Sequence, residues 1–296
     1  MPSVYIEENR NRKRITLSFG EYASIIYHDM FDYPLSFDEV ARWSISEDYL
    51  FSKTTKEVSI KKVDYDSGYF FIGEDKQKIR KRLLRKKTSE DKLQIAYKAA
   101  NLIGLLPSVL FVGITGSLAM DNADESADID LIIITSQNTL WISRLFSLLI
   151  LAFSGLKIRK KNEKDQKDRI CANLWLTENN LQWKLKNIFT AHEIVQIKPL
   201  VNKNNVFEKF LKKNSWIYNF FPNGNKVSLG ATKVKPSFGI YKRPLSLINR
   251  IMFYIQYAYM KNSITKEEVS LDRALFHPVP LSKYVENRFI QNYLSN

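Results

Sequence analysis

Cysteine is nearly absent from this 296-residue chain and histidine is scarce: Cys171 stands alone beside three histidines. A lone thiol excludes any intrachain disulfide and any zinc site built from cysteines. It also points to a reducing compartment, so the expectation is a cytoplasmic protein. His28 and His277 are isolated in the sequence, and His192 precedes Glu193 without completing HExxH, because position 196 is Gln196. That excludes a zincin site, and neither a Walker A loop nor a GxGxxG fingerprint occurs. Repeats and low-complexity tracts are missing as well. The start, Met1 to Arg14, is polar and mixed in charge, with no apolar stretch of the secretory kind. The longest apolar run, Leu145 to Leu156, reaches 17 residues only when extended back to Leu140 across Arg144. A spanning helix needs about 20. The run therefore reads as a buried core helix, and no stable membrane insertion is expected. Acidic residues are in the minority, 31 against 45 basic, which leaves a net charge of +14. That excess favours polyanionic partners (nucleic acid, nucleotides or anionic lipid) without choosing among them.

The remaining composition, 45% hydrophobic and 26% charged, is that of a globular protein. Three regions differ in character. Residues 1–75 show a helix over Tyr22 to Met30 and a break at FDYPLS, where Pro34 disfavours helical geometry at Tyr33. Ser36 with Glu39 then forms a capping box, and two strands, Val58 to Val63 and Tyr69 to Ile72, flank the turn residues Asp66, Ser67 and Gly68. Helix, helix and hairpin suggest a winged-helix-like module or a small α+β packing module. Region 76–180 opens with nine basic residues between Lys76 and Lys92, on a helix whose apolar positions are Ile79, Leu83 and Leu84. Its basic face is either a solvated linker or a phosphate-contacting surface. A second helix runs from Asp91 to Leu105. Strands are expected at Val109 to Thr115, Leu131 to Thr135 and Ile170 to Thr177, with the apolar helix between the last two. Region 181–296 reads as helical, with patterns at 181–197, 204–219, 244–261 and 281–294 and a loop at 223–236.

The stretch that carries chemistry is GITGSLAMDNADESADIDLIIIT, Gly113 to Thr135. An apolar strand ends in Gly116-Ser117, and Asp128-Ile129-Asp130 leads into the next strand. Strand residues alternate, so the two aspartates share a face. Paired carboxylates repel unless a cation lies between them, and hard oxygens of this kind suit Mg²⁺ or Mn²⁺ with phosphate oxygens completing the shell. Gly116 permits close backbone approach. If LAM opens a helix, the amides after Ser117 face an anion.

This arrangement resembles the nucleotidyltransferase superfamily with the polymerase-β-like fold. The signature residues are Gly116, Ser117, Asp128 and Asp130. The wider layout, from FDYPL to the TAHE helix, is similar to bacterial nucleotidyltransferase-domain proteins. The resemblance implies an α+β fold: a small mixed-sheet nucleotidyltransferase core between the N-terminal winged-helix-like module and a C-terminal helical region. It implies an NTP substrate, Mg²⁺ (or Mn²⁺) held by Asp128 and Asp130, and transfer of a nucleoside monophosphate to a hydroxyl. Relatives usually supply a third carboxylate from a later strand. Here that strand presents Cys171, Asn173 and Trp175, of which Asn173 offers only a neutral oxygen. Glu193 is then the candidate base, or simply a partner for a lysine. Arg144 is either a structural ion-pair former or a ligand for the triphosphate. The alternative is a catalytically inactive protein that uses the same core to bind nucleotide or nucleic acid.

Overall fold

The computed structural model describes residues 3–7, 14–53, 62–160, 163, 165–224, 232–234, 242–264, 267–276 and 280–294. It opens with an antiparallel hairpin, β1 (Ser3–Glu7) and β2 (Arg14–Ser18). Helix α1 (Phe19–Asp29) follows at once, begun by a capping box between Ser18 and Glu21. After the FDYPLS break comes the short strand β3 (Leu35–Ser36). Ser36 then caps α2 (Phe37–Arg42): the Glu39 amide donates to Ser36 Oγ and the Ser36 amide to Glu39 Oε2, the reciprocal pair that the sequence predicts. Helix α3 (Glu47–Lys53) precedes a hairpin of β4 (Val63–Asp66) and β5 (Tyr69–Ile72). Ser67 and Gly68 turn it with φ of +51° and +88°, the left-handed pair a two-residue hairpin loop requires. β5 lies between β3 and β4. Residues 58–61 of the expected first strand lie outside the described residues, as does His277.

One continuous helix, α4 (Gln77–Gly104, 28 residues), replaces the two expected helices. Its inward face also differs from expectation. Ile79 is buried, but Leu83 and Leu84 are exposed, while Arg82 and Lys92 point into the protein. The reason is local pairing. Arg82 donates to Glu39 Oε1 at 3.0 Å, to the Tyr33 hydroxyl at 2.7 Å and to the Asp121 carbonyl at 3.0 Å. Lys92 reaches Asp168 at 2.7 Å and the carbonyls of Glu125 and Ala127. Buried charges are tolerated only with partners of this kind.

The central sheet follows. Strand β6 (Val109–Ile114) ends at a single helical turn, α5 (Gly116–Ala119), and β7 (Ile129–Thr135) returns antiparallel to β6. Helix α6 (Leu140–Phe153) crosses to β8 (Ile170–Thr177), parallel to β7. Then come α7 (Ile188–Val195), β9 (Lys198–Lys203), α8 (Val206–Lys213) and a 3₁₀ turn (Ser215–Asn219). Strand β10 (Thr232–Val234), helix α9 (Lys242–Met260), strands β11 (Glu268–Val269) and β12 (Arg273–Leu275), and helix α10 (Pro280–Leu294) complete the chain. The seven strands run β10-β9-β6-β7-β8-β12-β11 in a mixed sheet.

The fold is therefore α+β, but the expectation of a helical C-terminal region is corrected, because strands β9 to β12 lie in it. Residues 198–203, between two expected helices, pair with β6 as a strand, and Thr232–Val234, inside the expected loop, pairs with β9. Two buried clusters sandwich the sheet. Leu131, Ile133 and Trp175 face α4 and α6, while Ile132, Ile134 and Leu174 face the N-terminal segment, α7 and α10. The second cluster runs from Leu17 to Tyr293, so both ends of the chain share one core. No helix among the described residues is long and apolar enough to cross a membrane.

Candidate active site

Asp130 sits one residue into β7 and Asp128 just before it, on the face that looks toward α7. Beside them the chain leaves β6 through Gly116, whose φ is +65°. A Cβ built there would lie 2.7 Å from Asp130 Oδ2, so only glycine lets the backbone pass this close. The expected helix after Ser117 is only the one turn of α5, and Ser117 itself is exposed.

Each aspartate already has neighbours. Arg159, from the segment between α6 and β8, donates to Asp128 Oδ2 at 2.5 Å and reaches Cys171 Sγ at 3.7 Å. Asp130 Oδ1 accepts from Asn173 Nδ2 at 2.7 Å, and the Cys171 thiol also donates to Asp130. Burial, with Asp128 alongside, pushes the Asp130 carboxyl up to about 7. Burial likewise pushes the Cys171 thiol well up, and the two aspartates add to it. Asp128, Asp130 and Cys171 form a cluster whose ligand atoms all lie within 4.8 Å of one another. Two mutually repelling carboxylates fit a hard divalent ion such as Mg²⁺ or Mn²⁺. A thiol held in its neutral form does not join such a set.

A register shift between Leu131 and Ile132 makes β8 bulge at Asn173, since Ala172 pairs with Leu131 but Leu174 with Ile132. The expectation that Cys171, Asn173 and Trp175 share a face is corrected by that bulge. Asn173 stays with Asp130, while Trp175 packs on the opposite side of the sheet.

Glu193, on α7, belongs to the same constellation. Its carboxylate accepts the Gly116 amide, and Gln196 Nε2 donates to its Oε1 at 2.7 Å. Burial and the nearby Asp130 push it up to about 7. A carboxylate that changes protonation near neutrality is suited to proton transfer at that pH. Thus Gly116, Ser117, Asp130 and Glu193 all line one cavity of about 500 Å³, and the structure brings together six of the seven residues singled out, since Asp128 and Asn173 lie against Asp130. Arg144 is elsewhere: it donates to Gln256 at 2.6 Å and packs over Trp141 and Phe276, where burial lowers it to about 10. Its role in the structure is to tie α6 to α9.

Two features escaped sequence reasoning. Arg159 is one cation among several in a basic loop, and nothing local marks it. His28 and His192 lie 164 positions apart yet meet with Nε2 atoms 3.1 Å apart in the cavity wall. His28 Nδ1 faces the Ser24 carbonyl at 2.8 Å and donates to it, so in the neutral pair His28 Nε2 accepts from His192 Nε2–H. Burial lowers His28 to about 4 and His192 well below its ordinary value.

Comparison with protein-family models, with curated proteins and with solved structures returns no match to this chain.

Proposed function

We propose that this protein is a nucleotidyltransferase that moves a nucleoside monophosphate from an NTP to a hydroxyl acceptor and releases pyrophosphate. The single observation that carries the reading is the meeting of Asp128, Asp130, Gly116 and Glu193 at one point, with Gly116 too close to Asp130 for any side chain. Asp128 and Asp130 would hold the Mg²⁺ (or Mn²⁺). That ion, when bound, neutralises the phosphates and orients the displacement. Asn173 holds Asp130 in orientation through its amide, a donor where the superfamily that this motif resembles carries a third acid. Glu193 accepts the acceptor's hydroxyl proton. Arg159 exchanges its grip on Asp128 for phosphate oxygens, which its planar fork suits. Ser117, exposed beside Gly116, faces the outer phosphates.

The N-terminal module carries the element order of a winged helix: helix, strand, two helices, hairpin. Its third helix argues for a use other than gripping a duplex. α3 begins with Glu47 and Asp48, and Tyr49 and Lys53 bind Glu286 of α10 at 3.0 and 3.5 Å. Most of the basic segment is likewise engaged: Lys76, Lys78, Arg82, Arg85 and Lys92 have acidic partners, which leaves Arg80, Lys81, Lys86 and Lys87, exposed like Lys76, without one among the described residues. The module serves here as one wall of the site.

A second reading, a nucleotide-binding protein without transfer activity, is favoured by one observation, the Asn173 donor at the third position. Both readings share the metal clamp, tested by Mn²⁺ binding in the presence of a non-hydrolysable NTP. Wild type should take up Mn²⁺ at this site, and Asp128→Asn with Asp130→Asn should lose it while keeping its fold, because the repulsion is also removed. Equal Mn²⁺ uptake by both proteins would sink the clamp.

A further inference from the structure

The cavity beside Glu193 differs in chemistry from the surface around it. The protein is strongly basic, yet among the described residues only two that line this chamber, Lys184 and Arg273, carry a lasting positive charge, and both are paired with Glu268, at 2.7 and 3.7 Å. The histidines in the wall are held neutral by burial. Beside these pairs and Asp130 and Glu193, the wall includes Phe31, Tyr33, Trp183, Leu185, Phe189 and Leu275. Three separate parts of the chain contribute these residues: the FDYPLS turn, the 178–189 segment and strand β12. A polyanion entering here would lose its hydration without gaining a free cation, which is unfavourable. An apolar molecule would gain by burial of its surface.

The position of the chamber relative to the two aspartates assigns its role. Asp130 and Glu193 line it, whereas Asp128, Arg159 and Cys171 are not part of its wall and meet on the other side of Asp130 from the chamber. A triphosphate held by the clamp and by Arg159 therefore lies on the Asp128 side of Asp130. The group that attacks phosphorus comes from the opposite side, where the chamber and Glu193 are.

We propose that the chamber takes an uncharged small molecule with an apolar, ring-bearing body, and that this molecule is the acceptor, its hydroxyl directed at Glu193. The class of ligand follows from the wall alone; the role as acceptor rests on the nucleotidyl transfer reading above. In the transfer, the acceptor O–H proton passes to the Glu193 carboxylate. The acceptor oxygen bonds to the α-phosphorus. The bond from that phosphorus to the bridging oxygen of the β-phosphate breaks, and pyrophosphate leaves with the electron pair. The volume of about 500 Å³ falls within the range that drug-sized ligands fill. Polynucleotide ends, polyanionic and strongly hydrated, do not match the wall.

The test uses the full chain and a neutral fluorescent probe, N-phenyl-1-naphthylamine, with Mg–ATP binding measured in parallel. Two variants narrow the chamber from different elements: Leu185→Trp on the 178–189 segment and Leu275→Trp on β12. Wild type should bind the probe at one site with enhanced emission. Each variant should bind it about tenfold more weakly or worse, while Mg–ATP affinity is unchanged. Two variants guard against one that fails to fold. No probe binding to wild type, or equal binding to folded variants, overturns the proposal. Joint loss of probe and Mg–ATP binding also overturns it, since the chamber is then a nucleobase pocket. Absence of Mg–ATP binding by wild type sinks the transfer reading separately, and the probe result alone then decides the chamber's ligand class.

Discussion

The backbone amide of Gly116 donates to the Glu193 carboxylate, joining the end of β6 to helix α7 across 77 positions of sequence. Gly116 thereby touches both acids of the site, since its missing side chain is what admits Asp130 Oδ2. The glycine spaces Asp130 and Glu193, and Asp130 adds to the burial that raises the Glu193 carboxyl.

Glu193→Gln is expected to retain the fold and the Gly116 contact, because a glutamine oxygen accepts the same amide. What it loses is the proton acceptor. Transfer should fall about 10²–10⁴-fold at unchanged Mg–NTP affinity. Single-turnover rates together with equilibrium NTP binding check this, and an unchanged rate would remove Glu193 from the chemistry.

Arg82 and Arg80 are neighbours in a run of cations but should behave very differently. Arg82 is buried against Tyr33 and Glu39, and its removal strands a buried carboxylate. Arg82→Met should destabilise by about 3–5 kcal/mol. Arg80 is exposed, and Arg80→Ala should fall within about 0.5 kcal/mol of wild type. Urea denaturation of the two variants provides the comparison, and similar midpoints would contradict the structural role of Arg82.

Local signals in the sequence account for much of this architecture. The Ser36–Glu39 box, the Asp66–Gly68 turn and the apolar strands around Gly116 and Asp130 need only near neighbours to act, and each is present as expected. What was not legible depends on distant partners. The inward face of α4 is set by Glu39, Tyr33 and Asp168, so a cation replaces the leucine that periodicity predicts. The strand at Lys198–Lys203 forms because β6 offers an open edge, which its own residues do not announce. The bulge at Asn173 and the His28–His192 contact likewise exist only once the sheet and the N-terminal module are assembled.

The histidine pair makes stability acid-sensitive. His28 is lowered to about 4 by burial, against which the Ser24 carbonyl and Glu39 act only in part, while its unfolded value is near 6.5. The unfolded chain therefore binds more protons between these values. Stability is full above about pH 6.5 and declines as pH falls toward 4. The His28 contribution to that decline is about 3 kcal/mol. In His28→Gln the loss of stability between pH 7 and pH 4 should be smaller than in wild type by about that amount. Urea midpoints at the two pH values measure it, and equal losses would show that His28 titrates normally.

The central claim is nucleotidyl transfer at Asp128 and Asp130, and the most direct measurement follows the label from α-³²P NTPs with Mg²⁺ or Mn²⁺ into neutral ring-bearing alcohols and phenols, aminosugars, RNA and protein. The account predicts metal-dependent labelling of a small alcohol or phenol, with stoichiometric pyrophosphate release, abolished in Asp130→Asn. Binding of NTP by wild type with no label transferred to any acceptor, and none gained by Asn173→Asp, would contradict it and leave a nucleotide-binding protein in its place.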